Sequence, residues 1–464
     1  MSTCVVCDLG AGSGRVMLAR YADGRLDLDE IHRFDGYAVE RPDGPRWDVP
    51  RILDGVLAGL RRAQAAAGRI DAIGVDSWGL DYALLDADGA PATEPFHYRH
   101  PRSRRGFDAC PVPAEAAFAR TGCQILPVNT IYQLADEAVR APARHAGAAH
   151  LLMFADLVCH HLTGEVRAER TLARTSGLLT EAGAWSAELC DAIGLDRRLL
   201  PPLVEPGQVY GHLRPDLGLG PVPVIAVAAH DTASAVAALA LGEESGFVIL
   251  GSWSLVGAET GKVDRRPAVR DAGFGNEGGI ARPFLVRSLN GLHLVRKLRD
   301  SLRRRGTDLA FPEIARLAAG ASAGPAIDPA DPAFFDPPDM VEALAARCGR
   351  AVADDPGAAA RAVYAGLAAE VAAAITALER LRGRALAELR VCGGGAQDAL
   401  LCDLIAATTG KPLVVGPIEA TAWGNAVVQL LGLGALPSLD AGRRLVERSA
   451  RLRRVAPEAA DARR

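Results

Sequence analysis

A carboxylate at the end of an apolar run is the feature with the clearest chemical potential. In Val224-Ile-Ala-Val-Ala-Ala-His-Asp-Thr-Ala-Ser-Ala-Val236, a β-branched stretch stops at His230-Asp231-Thr232. An Ala-rich helical pattern follows, with Gly242 as its expected terminator. Asp231 is therefore expected where a buried strand gives way to a helix N-terminus, the place at which open α/β sheets bind ligands. A carboxylate held there by rigid elements can accept a proton from a substrate hydroxyl. The competing reading makes Asp231 an N-cap, a position that Asp favours. The stretch alone fits both.

Three glycine-bearing turns each follow an expected strand: Gly10-Ala-Gly12-Ser-Gly14, Gly251-Ser252 and Gly393-Gly394-Gly395. Glycine lets backbone N–H groups approach an anion closely. Each turn alone reads equally as a hairpin or helix cap. Together with Asp8 and Asp231 at strand ends, they fit a nucleotide binder whose phosphates meet hairpin amides and a metal. Other phosphate motifs fail: the dinucleotide fingerprint meets Arg15 and a strand where it needs glycine and a helix. Gly410-Lys411 and Gly261-Lys262 are followed by Pro412 and Val263, so neither is a P-loop. The protein-kinase signatures are absent. Only Lys262, Lys297 and Lys411 could supply a lysine to phosphate or to a Schiff base.

The elements that must position these residues follow from pattern. Strands over 3–9 and 15–21 flank the first glycine turn, and Asp23-Gly24 leads into a third strand over 26–34. Asp48 and Pro50 start a helix running to about Ala67. A short buried strand over 70–75 ends at Asp76-Ser-Trp78-Gly79, and Tyr82–Leu85 continues it. Residues 90–220 read as helices and loops. The segment Gln124–Leu134 reads either as a loop with a helix cap or as a sugar-facing loop. A second strand, glycine turn and strand over 247–259 echoes residues 3–21, so two similar halves around a cleft are expected, with the boundary near 240. Helices dominate 340–385. A strand over 389–392, a helix from Ala399, a strand over 413–415 and a helix over 420–432 follow. The Arg-rich tail from Arg443 reads as a solvated helix.

Composition narrows the function classes. The 464 residues are 49% hydrophobic and 23% charged, enough for a sizeable core. A net charge of -4 gives no general attraction to nucleic acid or anionic membrane. No basic-then-apolar leader precedes Asp8 and no uncharged run matches a bilayer span, so a cytoplasmic protein is expected. Nine cysteines, an odd number scattered along the chain, fit reduced thiols. Cys4 and Cys7 have CxxC spacing but lie in an expected strand, where positions three apart face opposite sides.

Taken as an ordered set, Asp8-Leu-Gly-Ala-Gly-Ser-Gly-Arg15, Gly74-Val-Asp-Ser-Trp-Gly79, Ala229-His-Asp-Thr-Ala-Ser234, Asn276-Glu-Gly-Gly279 and Gly393-Gly-Gly-Ala-Gln397 resemble the FGGY carbohydrate kinases. The resemblance runs from about residue 3 to 433. Glu30-Ile-His-Arg-Phe34, Gln124-Ile-Leu-Pro127, Asn129-Thr130, Leu162-Thr-Gly164 and Glu419-Ala420 resemble the branch that acts on L-rhamnulose. The resemblance implies an α/β, two-domain actin-like, hexokinase-like (ribonuclease H-like) fold with an interdomain cleft. It implies a sugar-binding and catalytic-base domain over 1–240, a nucleotide-binding domain over 241–435 and the tail over 436–464. The implied activity is ATP-dependent phosphorylation of the L-rhamnulose 1-hydroxyl with Mg2+. A ketose and ATP are the expected partners, with neither nucleic acid nor membrane, in a monomer or homodimer.

The same resemblance implies Asp231 as base and Gly79, His230, Asp231 and Thr232 as the sugar-contacting set. Ala11, Gly12, Ser13, Gly14 and Arg15 would form the phosphate hairpin, with Ser252, Arg296 and Gly394 also at ATP. Asp8 would stand at the metal through water. Ser288 occupies a position where the family pattern has a sugar-touching Asn, with Asn290 as a substitute two residues on. Arg296 stands where Gln is usual, near the nucleotide, and His100 where Asp is usual. These departures bear on which ketose is used: L-fuculose or a pentulose are the rival substrates. A non-catalytic sugar or nucleotide sensor and an actin-like assembly protein are the rival classes.

Overall fold

The computed structural model describes residues 1–457. The chain forms two compact units. The first comprises Met1–Ala240, Thr260–Leu285 and Ala420–Ala450; the second comprises Leu241–Glu259, Val286–Glu419 and the described residues from Arg451 onward. The chain thus leaves the first unit at residue 240 but returns to it twice. The segments 260–285 and 420–450, which the sequence places in a C-terminal half, fold with the first.

The first unit is built on a sheet in the order Val209–His212, Pro223–Ile225, Ala72–Ser77, Ser2–Leu9, Ser13–Ala22, Arg25–Asp35. Ser2–Leu9 is central and almost wholly buried, as its apolar run requires. It pairs antiparallel with Ser13–Ala22, which sets Asp8 opposite Arg15. On its other side it pairs parallel with Ala72–Ser77, which sets Asp8 beside Asp76. The helix Val49–Ala67 begins as the sequence indicates: the Asp48 side chain accepts from the Arg51 N–H, and Pro50 sits in the first turn. Its stripe of Ile52, Val56, Leu60 and Ala63 enters a core with Val5, Cys7, Val16 and Leu18. Each Val, Leu or Ile among them contributes about 1.5–3 kcal/mol on burial.

The second unit has a sheet that includes, in order, Phe284–Asn290, Trp253–Glu259, Ser245–Leu250, Glu388–Cys392, Leu413–Val415 and Arg453–Val455. Ser245–Leu250 pairs antiparallel with Trp253–Glu259 and parallel with Glu388–Cys392. A parallel strand and an antiparallel edge strand complete it. This repeats the hairpin-then-parallel plan of the first unit. The 27-residue helix Pro356–Arg382 is apolar and long enough to cross a membrane. Here its Val363, Leu367, Val371, Ile375 and Leu378 are buried within the fold.

Several expectations are corrected. The strand before Asp231 covers only Pro223–Ile225, and Ala226–Ala229 continue irregularly. The following helix ends at Ala238 rather than Gly242: Leu239 turns extended and is buried, so packing stops the helix before the glycine. Residues 90–220 contain strands as well as helices. His150–Met153 pairs with Tyr82–Leu85, and Val209–His212 forms a sheet edge. The tail is not a simple solvated helix. Leu439–Ser449 buries Leu439, Arg443, Leu445 and Val446, and Arg453–Val455 joins the sheet of the second unit. Residues 458–464 of the expected tail lie outside the described residues. Cys4 and Cys7 are buried free thiols; burial, with the Asp71 charge, pushes Cys4 up to about 12, far from thiolate redox chemistry.

Candidate active site

The first unit brings Asp8, Gly79, His230, Asp231 and Thr232 to one end of its sheet. Ser77 donates from its backbone to the Ala229 carbonyl and forms a bridge with His230, while Trp78 donates to the Leu9 carbonyl. Three strand ends thus converge. Asp231 is the first residue of the helix Asp231–Ala238, and His230 holds the cap position. The capping reading of Asp231 fails on geometry. Its Oδ1 accepts from the adjacent Thr232 N–H at 2.6 Å and the Thr232 hydroxyl at 3.2 Å, not from the amides two or three residues on that a cap engages. His230 Nε2 lies 3.3 Å from the same Oδ1. Among the described residues Oδ2 has no hydrogen-bond partner, and a third of the side-chain surface is open. Burial of the head group raises the Asp231 pKa, His230 counters this, and Asp8 adds to it.

Asp8 is buried and accepts from Arg15 Nη2 at 2.5 Å. Arg15, expected at a phosphate, is therefore also the counter-charge of Asp8. The hairpin between them closes through Gly10 N–H to the Ser13 carbonyl. A side chain at Gly14 would enter the Phe34 ring, whereas at Gly12 there is open space on the Cα. None of the three has a positive φ, so at Gly14 the requirement is close approach to Phe34 and not an unusual backbone conformation.

A third carboxylate, Asp76, lies within the motif Gly74–Gly79 without a role that the sequence assigns. It is fully buried and Oδ2 accepts from Asn425 Nδ2 at 2.5 Å, while Oδ1 is buried without a partner. Burial first, then the Asp8 charge, pushes its pKa up; the Asn425 bond opposes them and Asp231 adds to the rise. Gln429 donates to Asn425 Oδ1 at 2.7 Å and to the Val5 carbonyl at 2.9 Å. Asn425 and Gln429 are one turn apart on the helix Ala420–Gly432. Their spacing was the available signal, but nothing local tied it to a strand some 350 residues earlier. Gly74 makes room for them: a Cβ there would fall 2.5 Å from Asn425 Oδ1.

Gly79 is enclosed by Thr175, whose Oγ1 would be 2.8 Å from an added Cβ. The next residue, Leu80, has φ +80, a strained value for a branched side chain. The structure holds it at both ends: its N–H donates to Thr175 Oγ1, and its carbonyl accepts from Thr130 Oγ1 and Gln133 Nε2. The polar segment Gln124–Leu134 thus uses these side chains to pin the Gly79–Asp81 turn. Asn129 accepts from the Leu126 N–H. His100, where Asp was expected, does a cap's work: Nδ1 accepts from the Arg102 N–H at the start of Pro101–Ala109.

Asp81 Oδ2 accepts from Trp47 Nε1, Trp78 Nε1 and the Tyr98 N–H, and Oδ1 accepts from Gln133. Burial nonetheless pushes Asp81 up to about 7, and Glu169, which accepts from the Ala229 N–H, is pushed by burial to about 7 as well. Both folded values lie above those of the unfolded chain. Their stabilisation is therefore full below the ordinary carboxylate range and is lost as pH rises through 7. The urea midpoint of the wild type relative to that of Asp81→Asn, read by tryptophan fluorescence, is expected to fall between about pH 5 and pH 8. The comparison cancels His97, His100, His145 and His161, whose values, lowered by burial, act the other way. A relative midpoint that rises over this range would contradict the assignment.

The second unit holds Ser252, Ser288, Asn290, Arg296 and Gly394. Ser252 lies in the turn between two paired strands, and its carbonyl faces His293 Nδ1 at 2.8 Å. Gly393 has φ +85 and abuts the Leu250 carbonyl, so a side chain there is excluded; Gly394 has open space on its Cα. Ser288 and Asn290 alternate onto one face of Phe284–Asn290. Asn290 Nδ2 is committed to the Pro329 carbonyl at 2.7 Å. Arg296 is exposed on the helix His293–Arg304.

Comparison with known proteins adds independent findings. Residues 4–238 match the model of the FGGY family of carbohydrate kinases, N-terminal domain, and residues 246–433 match its C-terminal domain. A rhamnulokinase of Pectobacterium atrosepticum is 36% identical, with 98% of this chain and 93% of that protein covered. One of Enterococcus faecalis is 33% identical, with 96% and 92% covered. Among solved structures, a ligand-bound xylulose kinase from Lactobacillus acidophilus superimposes with TM-score 0.84 at 16% identity, covering 100% of this chain and 95% of that one. A Plasmodium falciparum glycerol kinase with ADP gives 0.80 at 15% identity, covering 97% and 94%.

Proposed function

We propose that this chain, which belongs to the FGGY family of carbohydrate kinases, phosphorylates L-rhamnulose at its 1-hydroxyl with ATP. It is a sugar kinase; the ketose, the roles of the residues and the cytoplasmic setting are the parts proposed. The observation that carries the mechanism is Asp231, whose Oδ1 is committed, whose Oδ2 has no hydrogen-bond partner among the described residues, and whose side chain is a third exposed. Asp231 takes the hydroxyl proton as the sugar oxygen bonds to the γ-phosphorus and the bond to the ADP oxygen breaks. His230, Thr232 and Gly79 line the sugar side. Ala11, Gly12, Ser13, Gly14 and Arg15 are the residues proposed for the nucleotide in the first unit, and Ser252, Arg296 and Gly394 those proposed in the second.

Mg2+ carried on the phosphates would neutralise charge that three lysines cannot. The acidic residues fit that outer role. Among the described residues no group of three or more His, Cys, Asp or Glu forms a cage for a bare cation. Asp8, at the hairpin, is the carboxylate to stand beside the metal through water.

A coupled ADP-release assay over L-rhamnulose, L-fuculose, L-ribulose and D-xylulose tests the reading. L-Rhamnulose is expected to give the highest kcat/KM. Another best ketose would correct the substrate, and no ADP release with any would overturn the activity. Ser288 is the specificity position to test, because Asn290 is already engaged with Pro329. An amide offers a longer reach and paired donor and acceptor groups. Ser288→Asn is expected to raise kcat/KM for L-rhamnulose about fivefold over the other ketoses, one hydrogen bond's worth. Equal change for all ketoses would show that position 288 does not read the sugar.

A further inference from the structure

We infer that Glu277 is a positioning residue for phosphoryl transfer: it fixes the His230 ring so that Nε2 holds Asp231 Oδ1 and leaves Oδ2 for the substrate hydroxyl. The meaning given to Asp231 rests on the kinase reading above; the geometry does not.

Glu277 ends the short strand Gly275–Glu277, and the residues before it are tightly held. A Cβ on Gly275 would lie 2.0 Å from the Gln124 nitrogen, so the strand runs flush against that loop. Asn276 is fully buried. Its Nδ2 donates to the Gly122 and Asp264 carbonyls at 2.8 Å, its Oδ1 accepts from the Asp264 N–H at 2.7 Å, and its own N–H donates to the Gly122 carbonyl. This anchorage delivers Glu277 to a defined place. Its Oε2 lies 3.0 Å from His230 Nδ1, with 20% of the Glu277 side chain and 11% of the His230 side chain exposed.

His230 is fixed from the backbone as well: its N–H donates to Thr171 Oγ1, and its carbonyl accepts from the Ser234 N–H. Each ring nitrogen thus faces a carboxylate, Glu277 at Nδ1 and Asp231 at Nε2. These are ion-pair distances and not aligned hydrogen bonds, since Nδ1 and Glu277 Oε2 have no hydrogen-bond partner among the described residues. A neutral ring is attracted to neither carboxylate by charge, whereas the imidazolium is attracted to both. The electrostatics agree. Burial would lower the His230 pKa, but the Glu277 charge and contact reverse this, Asp231 and Glu169 add to the rise, and the result is about 9. The charged groups facing His230 are Glu277 from its strand, Asp231 from its own helix and Glu169 from the segment before Arg170–Arg174. The imidazolium in turn lowers the Asp231 pKa, opposing burial and the Asp8 charge, which leave it raised; its effect is larger than the rise that the Glu277 charge itself adds. No proton passes to Glu277 in this scheme; the hydroxyl proton ends on Asp231.

The test combines Glu277→Gln and Glu277→Asp with an imidazole NMR titration of the ligand-free protein. Glu277→Gln is expected to lower kcat about ten- to a hundredfold, as when a partner that orients a reacting group is lost. KM for the ketose should change by a smaller factor than kcat, because Glu277 acts through His230 on the base, and the proposed sugar contacts of Thr232 and Gly79 are untouched. The acid limb of kcat/KM against pH should move to higher pH, and Glu277→Asp, which keeps the charge, should recover most of the loss. In the wild type, His230 is expected to titrate well above its ordinary value of about 6.5. A Gln variant with wild-type kcat and an unmoved pH profile would overturn the inference, as would a wild-type His230 midpoint at or below the ordinary value. If the Gln variant does not fold, the Asp variant and the wild-type titration decide. If no ketose is phosphorylated, the kinase reading falls, and the titration still decides whether Glu277 holds His230 charged.

Discussion

Asp231→Asn is expected to remove turnover while leaving ketose binding nearly intact. The change keeps the side chain's size and retains an Oδ1 able to accept from Thr232, so the helix start should persist. What disappears is the negative charge and the oxygen that accepts the hydroxyl proton. A positioned general base contributes about a hundred- to ten-thousandfold in rate. The loss should fall on kcat, because the substrate hydroxyl and the sugar contacts proposed for Thr232 and Gly79 remain. Calorimetry with the ketose should then give a Kd within a few-fold of wild type, and the coupled assay should show kcat near background. The acid limb that reports Asp231 ionisation should also vanish from any residual activity. A variant that kept kcat within about tenfold of wild type would remove Asp231 from the role of base. It would then stand as a partner of Thr232 and His230 and nothing more.

The reach of the sequence can be judged residue by residue. The first hairpin, the Asp48 cap and the strand-end placement of Asp8 were legible because each depends on neighbours within a few positions. The family was legible because its motifs are short and ordered along the chain. The groups that surround Asp231 were not. Glu277 reaches His230 across 47 residues, and Asn425 reaches Asp76 across 349. Neither pairing leaves a local period or turn signature. The helix end was misplaced for a related reason: Gly242 is a good terminator, but burial of Leu239 ends the helix earlier. The return of residues 420–450 to the first unit was likewise invisible, since the helix Ala420–Gly432 reads as amphipathic without saying what it meets. The polar loop Gln124–Leu134 left two readings open. Thr130 and Gln133 prove to hold the strained Leu80, a requirement that appears only once the φ of Leu80 is known.

That returning helix carries the largest expected effect on stability. Gly424 crosses the base-bearing helix Asp231–Ala238 so closely that an added Cβ would lie 1.7 Å from the Ser234 carbonyl oxygen and 2.7 Å from its carbon. Both obstacles are backbone, so no side-chain rotation relieves them. Gly424→Ala must push the two helices apart or bend one of them. Overpacking of this kind costs about 1–3 kcal/mol and sometimes more, and an overlap with backbone belongs at the upper end. Helix propensity acts the other way by about 1 kcal/mol, since alanine is the better helix former, but it is the smaller term. The displacement would also act on the site. Thr421, one turn before Gly424, donates to the Asp231 carbonyl, and Asn425 donates to Asp76. Gly424→Ala is therefore expected to lower the thermal midpoint by a few degrees, at roughly 1 °C per kcal/mol for 464 residues with about 2.1 cal/mol/K of unfolding entropy each. The surviving folded enzyme should show a loss in kcat. Gly147→Ala is the matched control: no atom lies within 4 Å of its added Cβ, and its midpoint should hold. If Gly424→Ala melted with the wild type, the helices would have room that this crossing denies them. Asp231 would then owe its position to the strands beneath it and not to the helix Ala420–Gly432.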